Sequence, residues 1–312
     1  MRVFETTERA GAELGRRTAV TIGKFDGVHT GHRAVVARLR ALADERDLAT
    51  VVVTFDRNPL SLLAPDKCPD ALLSNPQKLE RLARTGVDAT VMLAFDRELS
   101  QVPAEEFVSR MLVHELHAGL VLIGADFRFG ARGAGSAELL QRMAPELGFE
   151  VVVLDEVLEQ GRRASSTWVR ELLAEGRVGE AAQLLGEPPA VRSTVARGEQ
   201  RGRQLGYPTA NLDPAAIEGF IPADGVYAAW MTVDGRRYPA AVSIGNNPTF
   251  EGVPAQQVEA HALDADLDIY GRPIEVEFVD RVRGMRRFDG VEPLIAQMRD
   301  DEARVRRILS QP

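Results

Sequence analysis

A ten-residue stretch rich in glycine and histidine, residues 23–32, constrains most strongly how this chain can fold. It follows a short apolar run at residues 18–22 and precedes residues 33–43, where apolar side chains recur at helical spacing. This order predicts a strand, a tight turn and a helix. Free backbone N–H groups and the positive end of the helix dipole point into such a turn, so phosphate is its natural ligand.

Two of the five histidines, His29 and His32, lie in this stretch. Their separation of three residues places them on the same side of a first helical turn. There they can hydrogen-bond a polyphosphate while charge moves from its α-phosphate to a leaving pyrophosphate. The His-x-Gly-His spacing resembles the signature of the nucleotidylyltransferase superfamily. Histidines also cap helices and fill gaps, so the motif alone leaves a structural role open.

The length and net charge of the chain limit its number of domains and the classes of partner that it can bind. Its 312 residues suit two domains at about 150 residues each. The net charge of −8 argues against general nucleic-acid binding, which needs a basic field. No apolar run reaches the roughly 18 residues of a membrane span, and the N-terminus has no apolar leader. We therefore expect a cytoplasmic protein, a monomer or weak homo-oligomer, that binds neither nucleic acid nor membrane.

The first half of the chain alternates strand-like and helix-like segments. Helical patterns separate apolar runs rich in β-branched residues at 18–22, 50–55, 89–95, 119–124 and 150–154. This order predicts a parallel sheet with helices on both faces, an α/β fold of Rossmann-like type. Ligands of such sheets lie beyond the carboxyl ends of the strands. Polar side chains follow these ends at His29, Asp56, Asn58, Asp96, Asp126 and Arg128.

The pattern changes after a Gly-Glu-Pro-Pro linker at residues 186–189. Short alternating runs follow, and Asp234-Gly235 is typical of a tight hairpin turn. An amphipathic helix is predicted over residues 291–309. The second half is therefore predicted to be a small antiparallel β-barrel with a C-terminal helix. The predicted domains are residues 1–186 and 187–312.

Two more polar segments of the first domain are candidates for ligand binding. Asp126 and Arg128, after a buried strand, can hold a base, a ribose or a flavin tail, or form a self-contained ion pair. Residues 165–167, Ser-Ser-Thr, begin a predicted helix, so their hydroxyls are first of all N-caps. Together with Arg170 and the histidine turn, they favour phosphate binding.

A loop of the second domain, residues 197–211, combines glycines with polar chemistry. Its three glycines suit a backbone that closes over phosphate. Thr209 and Asn211 offer oxygen ligands suited to Mg²⁺ with bound phosphate. A glycine-rich surface loop is the alternative interpretation.

With these segments in this order, the chain resembles the bacterial bifunctional riboflavin kinase/FAD synthetase family from about residue 18 to about residue 309. The Pro-Thr-Ala-Asn element at residues 208–211 is highly specific for the kinase module. The resemblance implies a nucleotidylyltransferase domain followed by a riboflavin kinase barrel. It also implies two reactions. The C-terminal domain converts riboflavin and ATP to FMN and ADP, and the N-terminal domain converts FMN and a second ATP to FAD and pyrophosphate.

The resemblance also implies roles for the matched residues. Glu259 would be the general base of the kinase, and His29, His32 and Arg170 would promote nucleotidyl transfer. Thr209 and Asn211 would position the Mg²⁺ cofactor. Flavin contacts are implied for Asn58, Asp126, Phe127 and Arg128. Nucleotide or phosphate contacts are implied for Gly23, Phe25, Asp26, Gly31, Ser165, Ser166, Thr167, Gly198, Gly202, Arg203, Gly206, Tyr207 and Pro208.

Two departures from the family pattern leave alternatives open. Lys24 stands where a neutral residue is more usual, and Asn58 stands where histidine or glutamine is frequent. Both flank the expected nucleotide site. One alternative is a paralogue with kinase activity and a changed nucleotide preference, for example for CTP. Another is an inactive flavin-binding regulator, against which the intact histidines and Glu259 argue.

Overall fold

The computed structural model describes residues 1–154, 158–159, 161–197, 207–245, 256–265 and 267–310. The chain forms two compact units, Met1–Ser165 and Ser166–Pro312. None of the helices in the described ranges has the length and apolar character needed to cross a membrane.

The first unit is built on a six-stranded parallel sheet. Its strands are β1 (Arg2–Phe4), β2 (Thr18–Ile22), β3 (Ala49–Phe55), β4 (Ala89–Leu93), β5 (Ala118–Gly124) and β6 (Glu150–Leu154). They lie in the order β1-β4-β3-β2-β5-β6, with every neighbouring pair parallel. All five residues of β2 are buried, as expected for a central strand covered on both faces. The predicted parallel α/β sheet is confirmed, and β1 adds an edge strand that the sequence analysis missed.

Helices connect these strands. They are α1 (Thr7–Leu14), α2 (Thr30–Asp44), α3 (Leu60–Leu63), α4 (Asn75–Arg84), α5 (Arg97–Gln101), α6 (Ala104–Glu106) and α7 (Ala137–Leu147). A π-helical stretch, Phe107–Glu115, continues α6. A short antiparallel hairpin, β7 (Leu158–Glu159) with β8 (Arg162–Arg163), follows the sheet. Ser74 and Gln77 form a capping box at the start of α4, a side-chain pattern that favours the start of a helix.

The strand order places the predicted motifs at one point of the sheet. β2 pairs with β3 on one side and with β5 on the other, so the direction of the chain's winding reverses between β2 and β5. The histidine-containing turn follows β2, and Asp126 and Arg128 follow β5. The crevice at such a reversal is where open α/β sheets bind their ligands.

The second unit begins with two helices, α8 (Ser166–Ala174) and α9 (Val178–Leu185). A closed barrel follows, with strands in the order β10-β13-β12-β11-β14-β9. The strands are β9 (Ala190–Ala196), β10 (Ala210–Leu212), β11 (Gly225–Val233), β12 (Arg236–Gly245), β13 (Gln257–Ala262) and β14 (Pro273–Arg283). All its neighbouring strands are antiparallel, so the predicted barrel is confirmed.

The turn between β11 and β12 has the conformation that its sequence predicts. Asp234 and Gly235 have φ values of 48° and 73°, as a two-residue type I′ turn requires. The final helix, α10 (Val291–Leu309), has the predicted bounds. Its Val305 packs into a buried cluster with Val226 and Ala228 of the barrel.

The helices α8 and α9 pack on the barrel. The amide of Ala223 donates to the carbonyl of Leu173 at 2.9 Å, and the Arg281 guanidinium donates to the carbonyl of Glu175 at 3.2 Å. These contacts explain why the compact units divide at Ser165. A functional domain boundary between residues 186 and 187 stays a prediction.

Candidate active sites

The turn after β2 has an unusual backbone. Phe25, Gly27 and Val28 all have positive φ, at 49°, 88° and 45°. A β-branched residue such as Val28 rarely adopts this conformation, which persists only where the surroundings enforce it. Phe25 and Val28 are both buried. The turn is therefore a rigid scaffold, in which the buried Phe25 ring lies 4.9 Å from the imidazole of His32.

The two histidines of the turn stack on each other. His29 is the N-cap residue of α2, and its ring lies 3.8 Å from that of His32. Close to them, Gly31 packs tightly, because a Cβ there would lie 3.2 Å from the His29 ring and would require that ring to shift. His29 Nδ1, Thr30 Oγ1 and His32 Nδ1 are buried and have no hydrogen-bond partner among the described residues. Buried polar atoms are normally paired, so this cluster has the character of a binding site for a polar ligand.

Both imidazoles are neutral at physiological pH. Burial lowers the pKa of His29 from 6.5 to about 4, and the Arg163 guanidinium adds to this shift. Burial also holds the pKa of His32 well below its usual range, and His29 and Lys24 contribute to that shift. A neutral imidazole donates one hydrogen bond and accepts another. The pair can therefore contact phosphate oxygens without an initial positive charge.

The lowered pKa of His29 predicts a dependence of stability on pH. As the pH falls from 6.5 to about 4, His29 takes up a proton in the unfolded chain but not in the folded one. Stability is thus greatest above pH 6.5, and the free energy of unfolding should fall by about 2–3 kcal/mol at pH 4.5 through this residue. Urea unfolding of the first unit at pH 7 and 4.5 measures the difference.

The His29→Ser variant should lose about that part of the pH dependence, since serine is also a favoured N-cap. The exposed His114 of the same unit supplies the control, His114→Ser, which should keep the wild-type difference. An unchanged pH dependence in His29→Ser would contradict the buried, neutral state of His29.

Arg163, which the sequence analysis missed, reaches the site from the β7–β8 hairpin. Its guanidinium forms a bidentate ion pair with Asp126, at 2.6 and 3.1 Å. This ion pair lowers the pKa of the Asp126 carboxyl. Arg163 is also close enough to lower the pKa of both histidines. The ion pair predicted as one interpretation of the Asp126 segment thus exists, but with Arg163 as its partner.

Two buried cations of α4 support the site, and the sequence analysis missed both. Lys78 donates to the carbonyl of Phe55 at 2.8 Å, and Arg81 donates to the carbonyl of Gly27 at 3.1 Å. Burial lowers the pKa of the Lys78 ammonium. Asp26 joins the same region, because its carboxylate accepts from the amide of Leu72 at 2.9 Å. The only sequence signal was a pair of cations three residues apart on one helix face.

The predicted flavin contacts have structural surroundings of their own. The Asn58 amide oxygen accepts from the amide of Leu60 at 3.1 Å, in the turn that leads into the short helix α3. The Phe127 ring stacks 5.6 Å from that of Phe129, while Arg128 is exposed. The flavin roles of these residues stay predictions.

The Ser-Ser-Thr segment leads into α8 as predicted, although the helix begins one residue later, at Ser166. Ser166 and Arg170 are four residues apart and share a helix face. Thr167 is exposed, and Ser165 directly precedes the helix. Phosphate binding by these four residues stays a prediction.

In the second unit, the barrel places Asn211 directly opposite Glu259 in the antiparallel pair β10–β13. Glu259 also lies opposite Ser243 of β12 on its other side. On β13 the flanking residues Val258 and Ala260 are buried in the opposite face of the strand. Directly opposed side chains on one face lie within contact distance, so Asn211 and Glu259 form one polar site.

A cavity of about 200 Å³ lies on the face of these strands opposite to Glu259, because the buried Ala260 lines it. Its walls include Val195, Met231 and Ala260 of the barrel, together with Pro208 and Thr209. Tyr207, also a predicted nucleotide contact, is buried beside His261, with ring centroids 5.4 Å apart. The predicted contacts Gly198, Gly202, Arg203 and Gly206 lie outside the described residues.

In the part of each site that the structure describes, side chains suited to metal binding do not form a cluster. Within the described ranges, no group of three or more His, Cys, Asp or Glu side chains is placed to hold a metal ion.

Comparison with known proteins agrees with this division into two sites. Residues 12–168 match the family model described as FAD synthetase, and residues 185–309 match the model described as riboflavin kinase. The bifunctional riboflavin kinase/FMN adenylyltransferase of Escherichia coli strain K12 is 40% identical over 92% of this chain and 91% of its own length. The chain belongs to the bifunctional riboflavin kinase/FMN adenylyltransferase family.

A second relative and a solved structure are similar to this chain over most of its length. The protein of the same name from Listeria monocytogenes is 37% identical over 91% of the chain and 90% of its own length. A crystal structure from Streptococcus pneumoniae, titled a macrolide-efflux protein, superposes with a TM-score of 0.87 at 32% identity. It covers 97% of this chain and 98% of its own. The similarity therefore extends over both units.

Proposed function

We propose that this chain carries out both reactions of its family and that each reaction uses one of the two sites described above. It is a riboflavin kinase and an FMN adenylyltransferase. Riboflavin, FMN and ATP are its substrates. The observation that carries the assignment of the adenylyltransferase site is the cluster of buried polar atoms on His29, Thr30 and His32 at the start of α2, for which the described residues offer no hydrogen-bond partner.

In the adenylyltransferase reaction, a phosphate oxygen of FMN attacks the α-phosphorus of ATP. The new oxygen–phosphorus bond forms FAD while the α–β bridging bond breaks and pyrophosphate leaves. FMN brings the nucleophile, so no covalent enzyme intermediate is required. Catalysis then consists of positioning and charge stabilisation, which we assign to His29, His32 and the dipole of α2. Arg170 and the Ser165–Thr167 segment are proposed to hold phosphate groups.

In the kinase reaction, Glu259 is proposed to accept the proton of the ribityl hydroxyl. The hydroxyl oxygen bonds to the γ-phosphorus of ATP, and the bond to the β–γ bridging oxygen breaks to release ADP. A carboxylate within reach of the hydroxyl supports this transfer as a general base. Asn211 lies directly opposite Glu259, so the phosphates and the base would share one face of the barrel.

Mg²⁺ fits the donors available in the kinase site. The Thr209 hydroxyl and the Asn211 amide oxygen are hard ligands, and Mg²⁺ commonly binds through few protein oxygens together with substrate phosphates. When bound, the ion would neutralise charge that develops on the transferring phosphate. The cytoplasmic location and the monomeric or weakly oligomeric state stay predictions of the sequence.

A product assay with one nucleoside triphosphate at a time tests the proposed use of ATP. The enzyme is incubated with riboflavin, Mg²⁺ and one nucleoside triphosphate at a time, and the flavin products are separated by chromatography. We expect FMN and FAD with ATP, and no flavin dinucleotide with CTP. Formation of a flavin cytosine dinucleotide would instead support a paralogue with a changed nucleotide preference, the alternative that Lys24 and Asn58 leave open. Flavin binding without any product would support an inactive regulator.

A further inference from the structure

The start of strand β10 is held in place by a side chain instead of by backbone pairing. β10 pairs with β13 at Ala210 opposite Ala260 and at Asn211 opposite Glu259. In the same register, the next position of β13 is His261. The pairing ends here, close to Pro208, which has no backbone N–H to donate to a neighbouring strand.

His261 makes the connection that the backbone cannot make. Its Nδ1 lies 2.8 Å from the carbonyl oxygen of Pro208. That carbonyl can only accept, so Nδ1 must be the donor. The His261 side chain is 13% exposed. Its ring packs against the Tyr207 ring in a T-shaped arrangement. The segment that leads into Thr209 is thereby tied to the strand that carries Glu259.

The other ring nitrogen of His261 faces the C-terminal helix, where it can donate only in the ring form that carries a proton on both nitrogens. Nε2 lies 3.2 Å from the Glu302 carboxylate of α10. Glu302 is in turn held by Arg306 at 3.1 Å, and Arg306 pairs at 2.8 Å with Asp264, three residues after His261. This network fixes the plane of the imidazole, so its Nδ1 stays directed at Pro208.

We propose that His261 is a positioning residue of the kinase site. It sets the position of the Pro208–Thr209 segment relative to the Glu259 carboxylate, and through Glu302 it aligns both with α10. The proposal rests on the proposed kinase site, because it requires that Thr209 contacts ATP and its metal. His261 itself contacts neither substrate. Its loss should therefore weaken ATP binding more than it slows the chemical step.

Two substitutions separate the two contacts of the ring. Asparagine carries its amide nitrogen near the position of Nδ1, so His261→Asn can still donate to Pro208 but does not reach Glu302. Glutamine carries its amide nitrogen near the position of Nε2, so His261→Gln reaches Glu302 but leaves the Pro208 carbonyl without this donor. Both variants replace a partly buried ring by an amide, which makes each a control for the loss of packing in the other.

The experiment measures riboflavin phosphorylation by the full chain as a function of ATP concentration. For His261→Gln and His261→Ala we expect the KM for ATP to rise about tenfold, with a smaller change in kcat. For His261→Asn the KM should stay within about threefold of the wild-type value. Conversion of FMN to FAD by the same preparations, at the separate adenylyltransferase site, should stay within twofold and shows that each variant is folded and active.

Equal KM values for the asparagine and glutamine variants would overturn the positioning role, as would a larger effect of asparagine. A failure of the proposed function gives a different result. In that case the wild type forms no FMN, or the Glu259→Gln variant forms it at the wild-type rate. If the wild type is active and Glu259→Gln is not, the comparison of the two His261 variants tests the positioning role alone.

Discussion

Replacing His29 by serine is expected to lower kcat/KM for the conversion of FMN to FAD by about 100- to 1,000-fold, the usual cost of removing one preorganised donor from a charge-stabilising site. Serine keeps the N-cap of α2, so the helix should begin at the same residue. It is too short to place a polar atom where the imidazole nitrogens lie. The loss should therefore report the imidazole and not the helix. Initial rates of FAD formation with ATP and Mg²⁺ measure the effect.

Two controls belong to this experiment. The same His29→Ser preparation should phosphorylate riboflavin within twofold of the wild-type rate, because the kinase site lies in the other unit. His114→Ser removes an exposed histidine from the first unit and should change neither activity. A His29→Ser enzyme that forms FAD at the wild-type rate would remove the histidine pair from the proposed mechanism.

The sequence predicted the part of the adenylyltransferase site whose residues are adjacent in the chain. The strand, the turn and the first turn of α2 are contiguous, and each carries its own signal in β-branched residues, glycines and paired histidines. The buried, neutral state of His29 was not predictable in this way. It depends on burial by the whole unit and on Arg163, which is 134 positions away in the sequence.

The two buried cations of α4 show the same limit of prediction from sequence. Lys78 contacts the carbonyl of Phe55, 23 residues away, and Arg81 contacts that of Gly27, 54 residues away. A helix pattern shows which residues share a face, but it does not show whether a cation on that face meets solvent or a distant carbonyl. Arg163 was missed for the same reason, since its partner Asp126 lies 37 residues earlier.

Four of the six barrel strands were predictable from their local sequence, and the other two were not. The alternation of β11 and its Asp-Gly turn specify the hairpin with β12, whose register begins at Val233 opposite Arg236. β9 and the three-residue strand β10 have weaker local patterns and were missed. They acquire their structure from pairing with strands far away in the sequence, as the pairing of Asn211 with Glu259 shows.

Replacing Glu259 by glutamine is expected to reduce the rate of FMN formation from riboflavin by about 100- to 10,000-fold. The amide has nearly the same shape as the carboxylate, so the pairing of β13 with β10 and β12 should persist. It cannot accept a proton, however, and the ribityl hydroxyl would have to attack the γ-phosphorus without a base. Conversion of added FMN to FAD by the same preparation should stay within twofold of the wild-type rate.

The matched control for this variant is Glu277→Gln. Glu277 is also a strand carboxylate of the barrel, but it lies on β14 and pairs with Arg237 at 2.9 Å. Its replacement removes one partly exposed ion pair, which contributes little to stability, and should leave both activities within twofold. If Glu259→Gln kept its kinase activity, Glu259 would be a structural carboxylate. If it lost both activities, the two reactions would not be divided between the two sites, because a change confined to the barrel would then control chemistry at the histidine turn.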